Sequence, residues 1–127
     1  MTCFWDGIIQ ALDISDYKYI GSNNRLNKEQ LINLLKNKNK LVETKWNNEI
    51  LTKQEKAEHF THIKDYNING IRQGHLCSIC DSFLLLISDI FNVNIHHRYL
   101  NTNIIYTIES PRKTLKFVSN SGHFWKS

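Results

Sequence analysis

An α+β fold, with helices first and a small antiparallel sheet last, is what the hydrophobic periodicity of this chain predicts. Apolar residues recur at helical spacing as far as Phe91. Beyond Asn92 the pattern changes to strand-like alternation, broken into short pieces by clusters of turn residues. Helices gathered at one end and strands at the other give the α+β arrangement. With 127 residues, 41% apolar and 11% aromatic, residues 1–127 fit one domain around a single hydrophobic core.

The first element spans residues 3–12, where Phe4, Ile8, Ile9, Ala11 and Leu12 stand at helical spacing and predict a helix buried on one face. Residues 13–24 read as a loop with a short extended piece, because Tyr17, Tyr19 and Ile20 alternate before Gly21. Asn27 with Gln30 three residues on is a capping pattern, and the helix it opens buries Leu31, Leu34 and Leu35. Thr52 with Glu55 opens another helix, with Ala57, Phe60 and Ile63 on one stripe. After Gly70 and Gly74 comes a helix that is apolar nearly all round, through Leu76, Ile79, Cys80, Phe83, Leu84, Ile87 and Phe91. That is the expected core hub. Four strands follow, around Ile95, around Ile104 and Tyr106, around Leu115 and Phe117, and at Phe124, with turns at 101–103, 110–112 and 120–122.

The net charge is +4, but a visible part of the surplus is Lys36, Lys38 and Lys40 alternating with asparagines, which reads as a solvated helix end. No arginines or stacking aromatics cluster there, so a nucleic-acid partner is not expected. The longest apolar run, 83–87, is far short of a membrane span, and no signal-peptide pattern opens the chain. Three cysteines without a secretory signal suit a reducing, cytoplasmic setting. The expectation is an intracellular monomer without a membrane partner.

Two side chains at opposite ends of the chain carry the candidate chemistry. Cys3 opens the first helix, where the positive end of the helix dipole favours a thiolate and backbone N–H groups can hold an oxyanion. His123 follows a polar turn and begins the last aromatic run, the position of a general base presented at a strand end. A lone cysteine is more often a small buried hydrophobe, and Cys3 by itself carries little weight. Cys77 and Cys80 with His59 and His62 could be written as a zinc set, yet both pairs fall inside helices and Cys80 lies on the most apolar stripe. No metal and no cofactor is therefore expected. His96 and His97 adjoin in a strand, so one faces in and one out, and a structural histidine is the favoured reading.

The order of these features resembles the ovarian-tumour (OTU) family of cysteine proteases. The features are Cys3-Phe-Trp-Asp-Gly-Ile8 at the first helix and Gly70-Ile-Arg-Gln-Gly74 feeding the long buried helix. That helix runs directly into a strand at Phe91-Asn-Val-Asn-Ile95, and the chain closes on strand, turn and His123-Phe124. The resemblance covers the chain end to end and implies a papain-like, OTU-like fold. It further implies hydrolysis of a peptide or isopeptide bond, with ubiquitin or a ubiquitin-like protein as partner, or polyprotein processing, and a viral source would suit it. Cys3 would be the nucleophile, His123 the base and Asn120 a residue orienting the imidazole. Gly70, Arg72, Gly74, Phe124 and Trp125 would line the substrate groove. The chain departs from the family in three places. Only Met1 and Thr2 precede the cysteine where members carry Asp-Gly-Asn, so the loop completing the oxyanion hole is expected to be missing or supplied by residues upstream of this sequence. Trp125 stands where the orienting Asn or Asp often lies, and the glycine loop lacks its usual tryptophan. Two other functions stay open. One is a degenerate member that binds ubiquitin or a partner without turnover, and the other an unrelated small basic nucleic-acid-binding domain.

Overall fold

The computed structural model describes residues 3–68, 77–120 and 122–127, and of residues 77–79 the backbone alone. Five helices and a five-stranded mixed sheet make up the described fold, in the order α1 (Cys3–Ala11), α2 (Ile14–Tyr19), α3 (Lys28–Asn37), β1 (Lys45–Trp46), α4 (Lys53–Lys64), α5 (Cys77–Phe91), β2 (Asn94–Tyr99), β3 (Thr102–Thr107), β4 (Thr114–Ser119) and β5 (Phe124–Lys126).

Local chemistry sets the helix starts. Asn27 with Gln30 and Thr52 with Glu55 form reciprocal capping boxes at α3 and α4, as their spacing predicts. The same device opens α2. Asp13 accepts from the Asp16 amide, while Asp16 accepts from the Asp13 amide at 2.8 Å. The expected loop over 13–24 is thus corrected, since Tyr17 and Tyr19 lie on a helix and Tyr17 is buried. The stripe expected on α4 is also shifted. Ala57 is exposed, and the buried side runs through Lys56, His59, Phe60 and Ile63.

The core hub is where the periodicity put it. Phe83, Leu84, Leu85, Leu86, Ile87 and Phe91 of α5 have no solvent exposure, and Ile95, Tyr106 and Phe117 close over them from the sheet. Ile104 is half-buried at its margin, and the side chain of Ile79 lies outside the described residues. α5 packs on β2 and β3, and α1 packs on β4 and β5.

The antiparallel sheet is corrected to a mixed one with strand order β1-β3-β2-β4-β5. β4 does not pair with β3, which precedes it, but lies parallel to β2, with Ile95 opposite Leu115 and His97 opposite Phe117. Two features account for this. The free edge of β3 is occupied by β1, with Trp46 opposite Tyr106. The connection after β3 is also held at the α5–β2 corner, where the Arg112 amide donates to Asn92 O and its guanidinium donates to Phe91 O, both at 2.9 Å. The same connection is tied to α2. The Asp16 carboxylate, wholly buried, accepts from Arg112 at 2.9 Å and from Lys113 at 2.7 Å. No helix among the described residues is long and apolar enough to cross a membrane.

Candidate active site

The two ends of the chain meet where α1 lies against β5. Phe4, one residue after Cys3, packs its ring on Phe124, one residue after His123, with centroids 4.8 Å apart. Phe124 also stacks on Phe117 at 4.9 Å and meets the His97 ring at 5.3 Å, so it is fixed from three sides. Gly7 permits the approach. A Cβ at that position would stand 2.8 Å from Phe124 Cδ1 and 3.4 Å from Trp125 Cα. An isolated glycine inside an apolar helix is a mark of close packing that a reading of the sequence from periodicity leaves unused.

Behind this contact α1 is anchored in the core. Trp5 packs edge-on against Phe83 at 4.8 Å, and its indole N–H donates to the Tyr66 hydroxyl at 3.2 Å. Lys36 in turn donates to the Tyr66 carbonyl, which ties the end of the α4 region to α3. Cys3 therefore begins a helix whose axial position is set by rings on both sides, and its own side chain is half-buried.

The turn before β5 is built on Asn120. Its side-chain oxygen accepts from the Gly122 and His123 amides, both at 2.9 Å, and its own amide donates to the His123 carbonyl at 2.9 Å. Both lone pairs of that oxygen are engaged by main-chain N–H groups, so none is left to accept from an imidazole N–H. Asn120 shapes the turn that carries His123 through this oxygen. His123 itself is exposed at the head of β5.

The expected groove residues divide. Phe124 is buried, its ring covered by Phe4, Phe117 and His97. Trp125 is 41% exposed on the neighbouring face of the strand. Gly70, Arg72 and Gly74 lie outside the described residues.

His59, His62, His97 and Cys80 take structural positions. His59 and His62 do not converge on Cys80. Both Nδ1 atoms lie within hydrogen-bond reach of Ser82 Oγ on α5, at 2.8 and 3.2 Å. A hydroxyl has one proton to give, so with both rings neutral at least one of the two Nδ1 atoms donates to it. Burial, reinforced by His62, holds His59 below its ordinary pKa. Cys80 is buried in the core, and the Cys77 side chain lies outside the described residues. His96 points out and His97 in, the latter sharing a 2.6 Å hydrogen bond with Ser119. Between α5 and β3, Tyr106 donates to Asp81 at 2.6 Å. Burial raises the pKa of both, and the hydrogen bond only partly offsets the rise at Asp81. Compared with protein-family models, curated proteins and solved structures, the chain matches none.

Proposed function

We propose that the chain is an OTU-like cysteine peptidase or isopeptidase that removes ubiquitin or a ubiquitin-like modifier, or processes a polyprotein, in the cytoplasm. The observation that supports this most is the packing of Phe4 on Phe124 across Gly7. The residue after Cys3 thus packs on the residue after His123, although 120 positions separate the two in sequence. In this reading Cys3 Sγ attacks the scissile carbonyl and His123 takes the thiol proton. The amides of the first α1 turn hold the oxyanion. The imidazolium then protonates the departing amine, and a water, activated by the same ring, hydrolyses the thioester to release the acid and restore the thiol.

A second reading has its own support. The orienting acceptor expected at Asn120 is engaged by the turn, which favours a domain that binds its partner but turns over slowly or not at all. One experiment covers both. Treat the protein with ubiquitin carrying a C-terminal electrophile and measure intact mass, with Cys3→Ala as control. A Cys3-dependent adduct with cleavage of a ubiquitin fusion supports the peptidase, and the adduct without cleavage supports the slow form. No adduct, with the fold intact by circular dichroism, refutes the reading.

A further inference from the structure

The two faces of the sheet differ in kind. Ile95, His97, Tyr106, Phe117 and Phe124 point into the core, whereas the residues alternating with them point outward, with His96, Arg98, Lys116 and Trp125 exposed. Register assembles the outward side chains into one patch. His96 stands opposite Lys116, Arg98 opposite Val118, and Val118 opposite Trp125.

Charge is distributed as unevenly as burial. None of the twelve Asp and Glu residues stands in a strand, whereas Lys45, Arg98, Lys116 and Lys126 do. The sheet therefore carries the whole formal surplus of +4, and the helices and loops balance to zero. The cations outside the sheet are where the ion pairs form, at Lys28, Lys40, Lys56, Arg112 and Lys113. Among the described residues none of the four sheet cations is in an ion pair. Lys45, Arg98 and Lys116 share the outward face, whereas Lys126, opposite Phe117, lies toward the α1 side. A shallow hollow of about 200 Å³ on the outward face is bordered by His96, Arg98, Asn103 and Lys116. The exposed Trp125 indole stands at the rim of the same patch.

We propose that this open face of the sheet binds single-stranded nucleic acid. Arg98, Lys116 and their neighbours would meet successive phosphates, and Trp125 would stack on a base. An unpaired cationic strip alone would suit any polyanion. The exposed indole beside it favours a strand whose bases have open π-faces, and in a duplex those faces are already stacked. The patch escapes the sequence because its members are scattered over residues 45–126 and meet only through the strand register. This inference does not depend on the peptidase reading, and its test uses no catalytic readout.

The test is fluorescence anisotropy with a labelled 20-nucleotide oligothymidylate, titrated between 50 and 200 mM KCl. With the three outward cations engaged, the log–log salt slope should be about −2. Binding should then weaken about 20-fold across that range. Arg98→Ala with Lys116→Ala should weaken binding at least tenfold and flatten the slope by about 1.4. Trp125→Ala should weaken it about fivefold or more while leaving the slope unchanged. The exposed pair Lys38→Ala with Lys53→Ala, equal in charge, should change neither. All these positions are on the surface, and unchanged urea midpoints would show that the variants fold. No anisotropy change at 100 μM protein would overturn the proposal. So would equal losses from the two double variants, or competition by duplex DNA, polyglutamate or anionic lipid vesicles as effective as that by the single strand.

Discussion

Replacing Gly7 by alanine sets two opposing effects against each other, and the structure decides between them. In an exposed helix interior the change would stabilise by about 1 kcal/mol, because glycine is the poorer helix former. Here the new methyl would stand 2.8 and 2.9 Å from Phe124 Cδ1 and Cε1. Phe124 is 2% exposed and wedged against Phe4, Phe117 and His97, so its ring cannot swing aside. Relief requires α1 and β5 to part by about half an ångström or more, and overpacking of this kind costs about 1–3 kcal/mol. The net expectation is a loss of about 1 kcal/mol, seen as a urea midpoint lower by about 0.3–1 M. The same displacement moves Cys3 relative to His123, so reaction of Cys3 with the ubiquitin electrophile should slow by more than the fraction unfolded explains. Gln10→Ala, on the exposed side of the same helix, serves as the propensity control. A Gly7→Ala protein more stable than wild type by the full propensity gain would refute the close packing of α1 on β5.

Three further changes test the frame around the site. Phe83→Ala removes a wholly buried ring in contact with Trp5 and Tyr66 and should cost about 3–5 kcal/mol in urea unfolding; a loss under about 1 kcal/mol would place the ring at the surface. Asp16→Asn leaves Arg112 and Lys113 without their buried partner and should cost about 3 kcal/mol, the lower end for a broken buried pair because both cations keep some solvent contact; a near-neutral change would mean that water replaces the carboxylate. His59 titrates below its ordinary value in the folded state, so the unfolded chain takes up this proton first as pH falls. Stability should hold above about pH 6.5 and decline below it, and His59→Gln should lose less than wild type between pH 7.5 and 5.5; parallel losses in the two proteins would exclude His59 as the titrating group.

Legibility followed the range of the interaction. α5 was readable because an apolar stripe is a local property, and the capping boxes at Asn27 and Thr52 were readable because their partners are three residues apart. The box at Asp13 uses the same spacing with Asp16 as its second member, and the alternating Tyr17 and Tyr19 obscured it. Strand existence was legible for β2 to β5, but their neighbours were not. The parallel pairing of β4 with β2 depends on Arg112 reaching Asn92 and Phe91, and on β1 covering β3. β1 has only two residues and carries no periodicity of its own. At the candidate site, chain position singles out Cys3 and His123, but the turn built on Asn120 and the burial of Phe124 were not legible. Asparagine in a polar turn closes the turn with its own oxygen, and a residue beside a strand-end histidine falls on the inward side of the pleat.

The most direct test of the Cys3–His123 pair is the alkylation rate of Cys3 by iodoacetamide at pH 6, followed by peptide mass mapping beside glutathione as a reference thiol. If the packing of Phe4 on Phe124 serves to pair thiol and imidazole, Cys3 should react ahead of Cys77, Cys80 and glutathione. His123→Ala should then slow it at least tenfold with the urea midpoint unchanged. A Cys3 rate equal to that of glutathione, and the same in His123→Ala, would contradict the pairing and with it the peptidase reading.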